Sequence, residues 1–191
     1  YAIDNDLMSI NPFRNLKIKK EEVEIKPLTK EELSLIIQKD FRIKRLNQVR
    51  DCFVFAAYTA MAYADLASIT HDDVKEQNGV YYIQKNRVKT GVQYTIPLND
   101  IAMGILKRYN YQLPVLTNQR YNSYLKEIAD ICGIEKNLTS HLARHTAATL
   151  MLNSGIPLDV VAKILGHSNT QMTAHYAKML DKTIILTKID F

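Results

Sequence analysis

The sequence predicts a mainly α-helical domain with one small antiparallel β-sheet, an α+β fold. Apolar residues recur at helical spacing up to about residue 67 and again after residue 98. Between these regions, short β-rich runs are separated by glycines. With 191 residues, 47% of them hydrophobic, the chain can bury the core of one ordinary domain, and its length gives little reason to expect two.

The first helices are predicted from an N-terminal signal and from apolar spacing. Thr29 is followed by Glu31 and Glu32 and then by apolar residues, which is the pattern of a helix N-cap with acids in the first turn. A second helix is predicted from about Asn47 to Ala67, where apolar residues recur at helical spacing, and we expect it to be buried.

The small sheet is predicted between residues 79 and 97. Gly79 introduces the run 80–84, and Gly91 separates the runs 87–90 and 92–96. Pro97 should end the last strand because it has no N–H to donate to a ladder.

The chain after residue 98 is predicted to be helical again, to about Lys178. Gly133, Gly155 and Gly166 are each placed as a stop at a helix C-terminus, and Pro157 is placed in a first helical turn. At the other end of the chain, Pro12 and clusters of lysine and glutamate, without apolar periodicity, indicate an interdomain linker over 11–27.

Composition restricts the class of protein only weakly. The net charge of +5 and the pI near 9.1 suit a polyanionic partner, but they are also common in proteins without one. Cys52 and Cys132 are far apart and form no CxxC pair, which argues against a disulfide framework or a cysteine zinc site and favours a reducing compartment. Residues 1–10 lack the charged and apolar regions of a signal peptide, and no apolar stretch is long enough to cross a membrane, so we expect a cytoplasmic protein.

The first chemical constellation is a pair of histidines with an arginine. Thr139 or Ser140 should cap a helix on which His141, Arg144 and His145 share one face. Taken alone, these residues fit a surface helix with an incidental basic face. A zinc site is disfavoured because Leu142 stands where the zinc hydrolases carry glutamate, so no metal is predicted.

Spacing adds two further residues to this constellation. His167 follows Arg144 by 23 positions within Leu-Gly-His-Ser, and Tyr176 follows His167 by nine. These words and intervals resemble the active site of the tyrosine recombinases, the phage-integrase family, and imply their catalytic-domain fold. Because the chain has 11 tyrosines, only the spacing selects Tyr176, which could otherwise be a core aromatic residue.

Two upstream segments also resemble the family. Residues 87–91 before 96–98 resemble its β-hairpin segment, which places Lys89 as the catalytic lysine, although a solvated hairpin charge would look the same. Residues 59–66 resemble the first box and keep Asp65, but Ala62 stands where the family has its first arginine. We expect Arg87 to replace that arginine and to pair with Asp65; if Arg87 and Lys89 both lie in a strand, their side chains share a face.

The resemblance implies an enzyme that breaks and rejoins DNA strands during site-specific recombination, such as integration or excision of a mobile element. Tyr176 would attack the scissile phosphate and form a 3′-phosphotyrosyl bond, and Lys89 would protonate the leaving 5′-oxygen. His141 would exchange the tyrosine proton, and His167 would hydrogen-bond a phosphate oxygen. Arg144, with Arg87, would bind the non-bridging oxygens, and no metal or cofactor is required.

The implied partner is double-stranded DNA at a specific crossover site, with self-association as a tetramer and a nucleoid-associated location. A surface for the DNA backbone is predicted where cations and aromatics occur without acids, although a solvated helix face fits equally well; its cations are Lys107, Arg108, Arg120 and Lys126.

The resemblance also divides the chain. Residues 1–27 would be the end of a missing N-terminal core-binding domain plus the linker, 28–180 the catalytic domain, and 181–191 a tail that docks on a neighbouring subunit or on its own. The alternative function is a catalytically attenuated DNA-binding regulator without the first arginine, in which 147–176 would form a helix-turn-helix. A type IB topoisomerase shares the tyrosine chemistry, but this short chain with Leu-Gly-His-Ser looks more like an integrase.

Overall fold

This computed structural model of the protein describes residues 7–10, 13 and 25–167. Most of the predicted linker and the whole predicted tail 181–191 lie outside these residues. The described part confirms the α+β fold class, since it contains seven α-helices, one 3-10 turn and three strands. In chain order the elements are α1 Lys30–Gln38, α2 Lys44–Thr59, α3 Tyr63–Leu66, the 3-10 turn His71–Asp73, β1 Val74–Gln77, β2 Val80–Asn86, β3 Gln93–Pro97, α4 Asp100–Arg108, α5 Asn118–Cys132, α6 Ser140–Asn153 and α7 Leu158–Leu165.

The helix predicted to begin after Thr29 is present as α1. The Thr29 hydroxyl accepts a hydrogen bond from the Glu32 N–H at 3.2 Å, and the Glu32 carboxylate accepts one from the Thr29 N–H at 2.7 Å. This reciprocal capping box satisfies N–H groups that have no partner within the helix.

The single helix predicted over 47–67 is wrong, because the chain breaks it at Ala60. The helix α2 is buried as expected and ends at Thr59; Ala60 then adopts a left-handed conformation with φ 55°, and α3 starts at Tyr63. Arg144, from a distant helix, donates to the Ala60 carbonyl at 2.7 Å. A long-range contact therefore accompanies the break, and apolar spacing carries no signal of it.

The sheet is antiparallel in the order β1-β2-β3, with Val74 opposite Ile83 and Ile83 opposite Ile96. Asn78 and Gly79 connect the first two strands with positive φ at both positions, as a tight hairpin turn requires. The last strand ends at Pro97, as predicted. The prediction missed β1, and it wrongly made a strand of residues 87–90, which form the turn between β2 and β3.

The helix α2 lies at the centre of the core and packs against α1, α4, α5 and α6, while α7 packs against both α6 and β3. Cys52 is buried in α2, whereas Cys132 is only half-buried. In the part of the chain that the structure describes, no helix is long and apolar enough to span a membrane.

The predicted helix stops are confirmed. Gly133 and Gly166 directly follow α5 and α7 in left-handed conformations, and Gly155 follows the last residues of α6 with φ 81°. Pro157 lies just before α7 with an extended ψ of 145°, rather than inside the first turn as predicted. The helix α7 therefore joins the sheet to the helical core and delivers Gly166 and His167 to that junction.

Candidate active site

The helix α6 carries the paired histidines and the arginine. Thr139 is its N-cap, since its hydroxyl accepts a hydrogen bond from the Leu142 N–H at 3.1 Å. Arg144 and His145 are buried, whereas His141 is exposed, and the two imidazole rings meet edge to face with centroids 4.4 Å apart. Within residues 7–10, 13 and 25–167 there is no group of three or more histidine, cysteine or acidic side chains that could hold a metal ion.

Arg144 ties together the ends of two helices. Its Nη1 donates to the Ala60 carbonyl at 2.7 Å, just past α2, and its Nη2 donates to the Leu165 carbonyl at 2.6 Å, at the end of α7. Carbonyls at a helix C-terminus carry partial negative charge, so the guanidinium is stabilised there although it is almost fully buried.

Arg87 reaches the same carbonyl from the other side of the fold. Its Nη2 donates to the Leu165 carbonyl at 2.5 Å and to the Ile164 carbonyl at 3.2 Å. Because Arg87 and Arg144 share the Leu165 oxygen, their Nη2 atoms lie within about 5 Å of each other. The structure thus brings two guanidinium groups together at one end of α7.

Asp65 is the carboxylate partner of Arg87. Its Oδ2 accepts a hydrogen bond from Arg87 Nη1 at 2.5 Å, and its Oδ1 accepts one from the Val88 N–H at 2.9 Å. The expected Arg87–Asp65 pair is therefore present. The supporting argument from a shared strand face is wrong, because Arg87 lies just past β2 and Lys89 lies in the exposed turn. Asp65 holds that turn through the Val88 N–H.

Two residues that the sequence interpretation missed enclose the Arg87 side chain. The guanidinium carbon lies 4.0 Å from the centroid of the Tyr94 ring, a cation–π geometry. On Gly166, which has φ +61°, an added Cβ would lie only 2.7 Å from Arg87 Nε. Arg87 is therefore in close contact with both an aromatic ring and a glycine backbone.

Both candidate site histidines have lowered pKa values. Burial, followed by the charges of Arg144 and Arg87, lowers the pKa of His167 from 6.5 to about 4. For His141, the protein packed around part of the ring lowers the pKa, and Arg144 lowers it further. Near pH 7 His167 is neutral and able to donate or accept a hydrogen bond.

The sequence profile of the Phage integrase family matches residues 26–183. The chain belongs to the phage integrase family. Its tyrosine-recombinase resemblance and its fold class are thereby confirmed.

Curated relatives of this integrase-family chain include two kinds of enzyme. Tyrosine recombinase XerD from Listeria monocytogenes is 31% identical over 149 residues, which cover 66% of this chain and 49% of XerD. Transposase B of transposon Tn554 from Staphylococcus aureus is 39% identical over 62 residues, which cover 32% of this chain and 10% of the transposase. The chain thus spans about half the length of the XerD relative.

Solved structures of recombinases have the same fold. A XerH recombinase in a post-cleavage complex with palindromic difH substrate superposes with a TM-score of 0.68 at 21% identity, over 84% of this chain and 51% of that one. A lambda integrase dimer bound to a COC′ core site also gives a TM-score of 0.68, at 20% identity, over 92% of this chain and 67% of that one.

The remaining predicted site residues of this integrase-family chain divide into two groups. Tyr176, the predicted nucleophile, lies outside the described residues. The four cations predicted to contact DNA are all exposed: Lys107, Arg108, Arg120 and Lys126. Arg108 also forms an ion pair with the buried Asp51 at 2.8 Å, which ties the end of α4 to α2.

Proposed function

We propose that the protein is a tyrosine-type site-specific recombinase that breaks and rejoins double-stranded DNA through a 3′-phosphotyrosyl intermediate. The observation that carries this proposal is the convergence of Arg87 and Arg144 on the Leu165 carbonyl, directly beside His167. Two positive charges at one point suit a transition state that carries extra negative charge on a phosphate. The similarity to the tyrosine recombinase XerD supports recombination, and the similarity to a transposase of transposon Tn554 supports a mobile element as the substrate.

The proposed reaction needs no external energy source. Tyr176 attacks the scissile phosphorus, the phosphorus–oxygen bond to the 5′-carbon side breaks, and Lys89 gives its proton to the leaving 5′-oxygen. His141 takes the tyrosine proton, which its lowered pKa permits because the neutral imidazole has a free lone pair. Attack by another strand's 5′-hydroxyl on the phosphotyrosyl bond reverses these steps and joins the strands.

We further propose that Arg87 supplies the charge that the family's first arginine supplies in its relatives. Ala62 has no polar side chain, whereas Arg87 binds Asp65, the acid of the same sequence box. Arg87 Nε has no hydrogen-bond partner among the residues that the structure describes. A guanidinium on a transferring phosphoryl group is worth about 10³ to 10⁵ in rate, so Arg87→Ala should lower cleavage by a factor of that order.

The exposed cations on α4 and α5 would bind the DNA backbone. Arg120 and Lys126 are solvent-exposed on α5, and Lys107 lies exposed at the end of α4. Arg108 forms an ion pair with Asp51, so we expect it to contribute less to DNA binding than the other three cations. Such contacts position the DNA without reading its sequence.

The larger arrangement of the protein is also a proposal. We place the catalytic domain at 28–180, the end of a core-binding domain with its linker at 1–27, and a docking tail at 181–191. A tetramer at a specific crossover site in the cytoplasm, associated with the nucleoid, would be the working form. No metal and no cofactor is needed for the steps above.

The decisive test is the covalent adduct. The complete gene product is incubated with genomic DNA, the DNA ends that stay attached after denaturation are sequenced, and the recovered site is rebuilt as a nicked duplex that traps the intermediate. An adduct that forms with the wild type and is lost in Tyr176→Phe supports the recombinase. Site binding without any adduct would refute it and favour the second candidate, an attenuated DNA-binding regulator, for which the alanine at position 62 is the specific reason.

A further inference from the structure

The hydrogen bonds of Arg87 do not by themselves fix the tilt of its guanidinium plane. Its hydrogen bonds to Asp65 and to the carbonyls of Ile164 and Leu165 lie along the edge of the guanidinium and fix its position in the plane. Hydrogen bonds to the two Nη atoms constrain the tilt of the guanidinium plane less tightly than its position. That tilt therefore also depends on the groups packed against the guanidinium.

Two residues make close contacts there, Tyr94 and Gly166. The Tyr94 ring lies beneath the guanidinium at 4.0 Å, and the Gly166 backbone leaves no room for a Cβ beside Arg87 Nε. Tyr94 is 2% exposed, and β3 holds it rigidly because it pairs with Lys85 on β2. Its hydroxyl has no hydrogen-bond partner within the described chain, so the ring, and not the hydroxyl, makes the contact that matters.

We infer that Tyr94 is a positioning residue for cleavage, which acts through Arg87 by a cation–π contact. The inference rests on the proposed role of Arg87 at the scissile phosphate. An arginine that enters the site from the hairpin turn has to be oriented by the residues around it, and Tyr94 is the aromatic residue that contacts Arg87. Tyr94 would thus help the protein to retain cleavage activity although Ala62 stands in place of the first arginine.

The test compares cleavage of two substrates under single-turnover conditions. One is the recovered nicked duplex, and the other carries a methylphosphonate at the scissile position, which removes the negative charge that a guanidinium stabilises. Tyr94→Leu should slow cleavage of the phosphodiester about tenfold and of the methylphosphonate far less. Tyr94→Phe keeps the ring and should cleave both substrates as the wild type does.

Two controls separate positioning from a loss of core packing. Ile96→Ala truncates the other buried residue of β3 without touching Arg87, and it should slow both substrates alike if it slows either. In an Arg87→Ala background, Tyr94→Leu should have no further effect on the ratio of the two rates, because the group that it positions is gone. Thermal unfolding and site binding are measured for each variant.

If Tyr94→Leu does not fold, fluorinated phenylalanines at position 94 replace it. They keep the shape of the phenylalanine ring and weaken its negative face, so the phosphodiester rate should fall stepwise with the number of fluorines. A flat series, an equal slowing of both substrates by Tyr94→Leu, or a full additional loss in the Arg87→Ala background would each overturn the inference. If Arg87→Ala itself leaves the rate ratio unchanged, the proposed role of Arg87 has failed, and the arginine variant alone identifies that failure.

Discussion

Replacing Gly166 by alanine should lower the free energy of unfolding by about 2–4 kcal/mol. Gly166 has φ +61°, a conformation that costs a residue with a side chain about 1 kcal/mol. The added Cβ would also lie 2.7 Å from Arg87 Nε and 3.2 Å from Arg87 Cγ. Arg87 cannot move away easily, because Tyr94 packs against its guanidinium and Asp65 holds its far end, so we add about 1–3 kcal/mol for overpacking.

The matched control for this substitution is Gly133→Ala. Gly133 follows α5 with φ +66°, nearly the same backbone conformation, but nothing lies within 4 Å of its added Cβ. Its replacement should therefore cost only the backbone part, about 1 kcal/mol. Urea unfolding followed by circular dichroism measures both variants. Equal losses at Gly133 and Gly166 would show that Arg87 does not press on Gly166, and the account of how Arg87 is held would then be wrong.

Three further predictions concern the surroundings of the site. An NMR titration should give His167 a pKa of about 4, and a measured pKa at or above 6.5 would contradict the prediction. Because the imidazole of the unfolded chain binds its proton near pH 6.5, the free energy of unfolding should fall as the pH drops from 6.5 towards 4. His167→Gln should remove that part of the loss. Thr146→Val should cost about 1–3 kcal/mol in urea unfolding, since it leaves the buried Leu28 N–H without its acceptor, and Thr146→Ser, which keeps the hydroxyl, should cost less; equal losses would argue against that bond. Arg120→Ala should reduce the slope of log binding constant against log salt concentration by about 0.9, and an unchanged slope would remove Arg120 from the DNA surface.

Local signals in the sequence were enough to predict several helix ends. The capping box at Thr29 and the cap at Thr139 involve residues within three positions of each other, so the sequence contains everything that forms them. The left-handed turns after α5 and α7 were predictable for the same reason, because glycine tolerates that conformation. The whole fold class followed from such local patterns.

Features that depend on distant contacts were not predictable. The end of α2 at Ala60 is accompanied by a hydrogen bond from Arg144, a residue 84 positions away. The strand β1 reads Val-Lys-Glu-Gln and is mostly exposed, so it lacks the apolar alternation that identifies a strand in sequence. Both errors have the same physical origin, since these elements are stabilised by partners that the local sequence does not contain.

The part of the candidate site that is formed by side chains in motifs resembling the family was predictable from the sequence. Asp65 and Arg87 were expected to pair, and they do. The place of Tyr94 was missed because a buried tyrosine in a strand resembles any core residue. The shared acceptor was missed because a main-chain carbonyl is present at every position and gives no signal in the letters of the sequence.

That shared acceptor also bears on how such a site could diverge. The Leu165 oxygen belongs to the polypeptide backbone, so no single substitution at position 165 can delete it. A main-chain acceptor of this kind is kept whatever residue stands at position 165, and it can bind a guanidinium from either segment of the chain. The proposed replacement of a first-box arginine by Arg87 therefore requires no change in this acceptor, because the same carbonyl is available to an arginine on the hairpin turn.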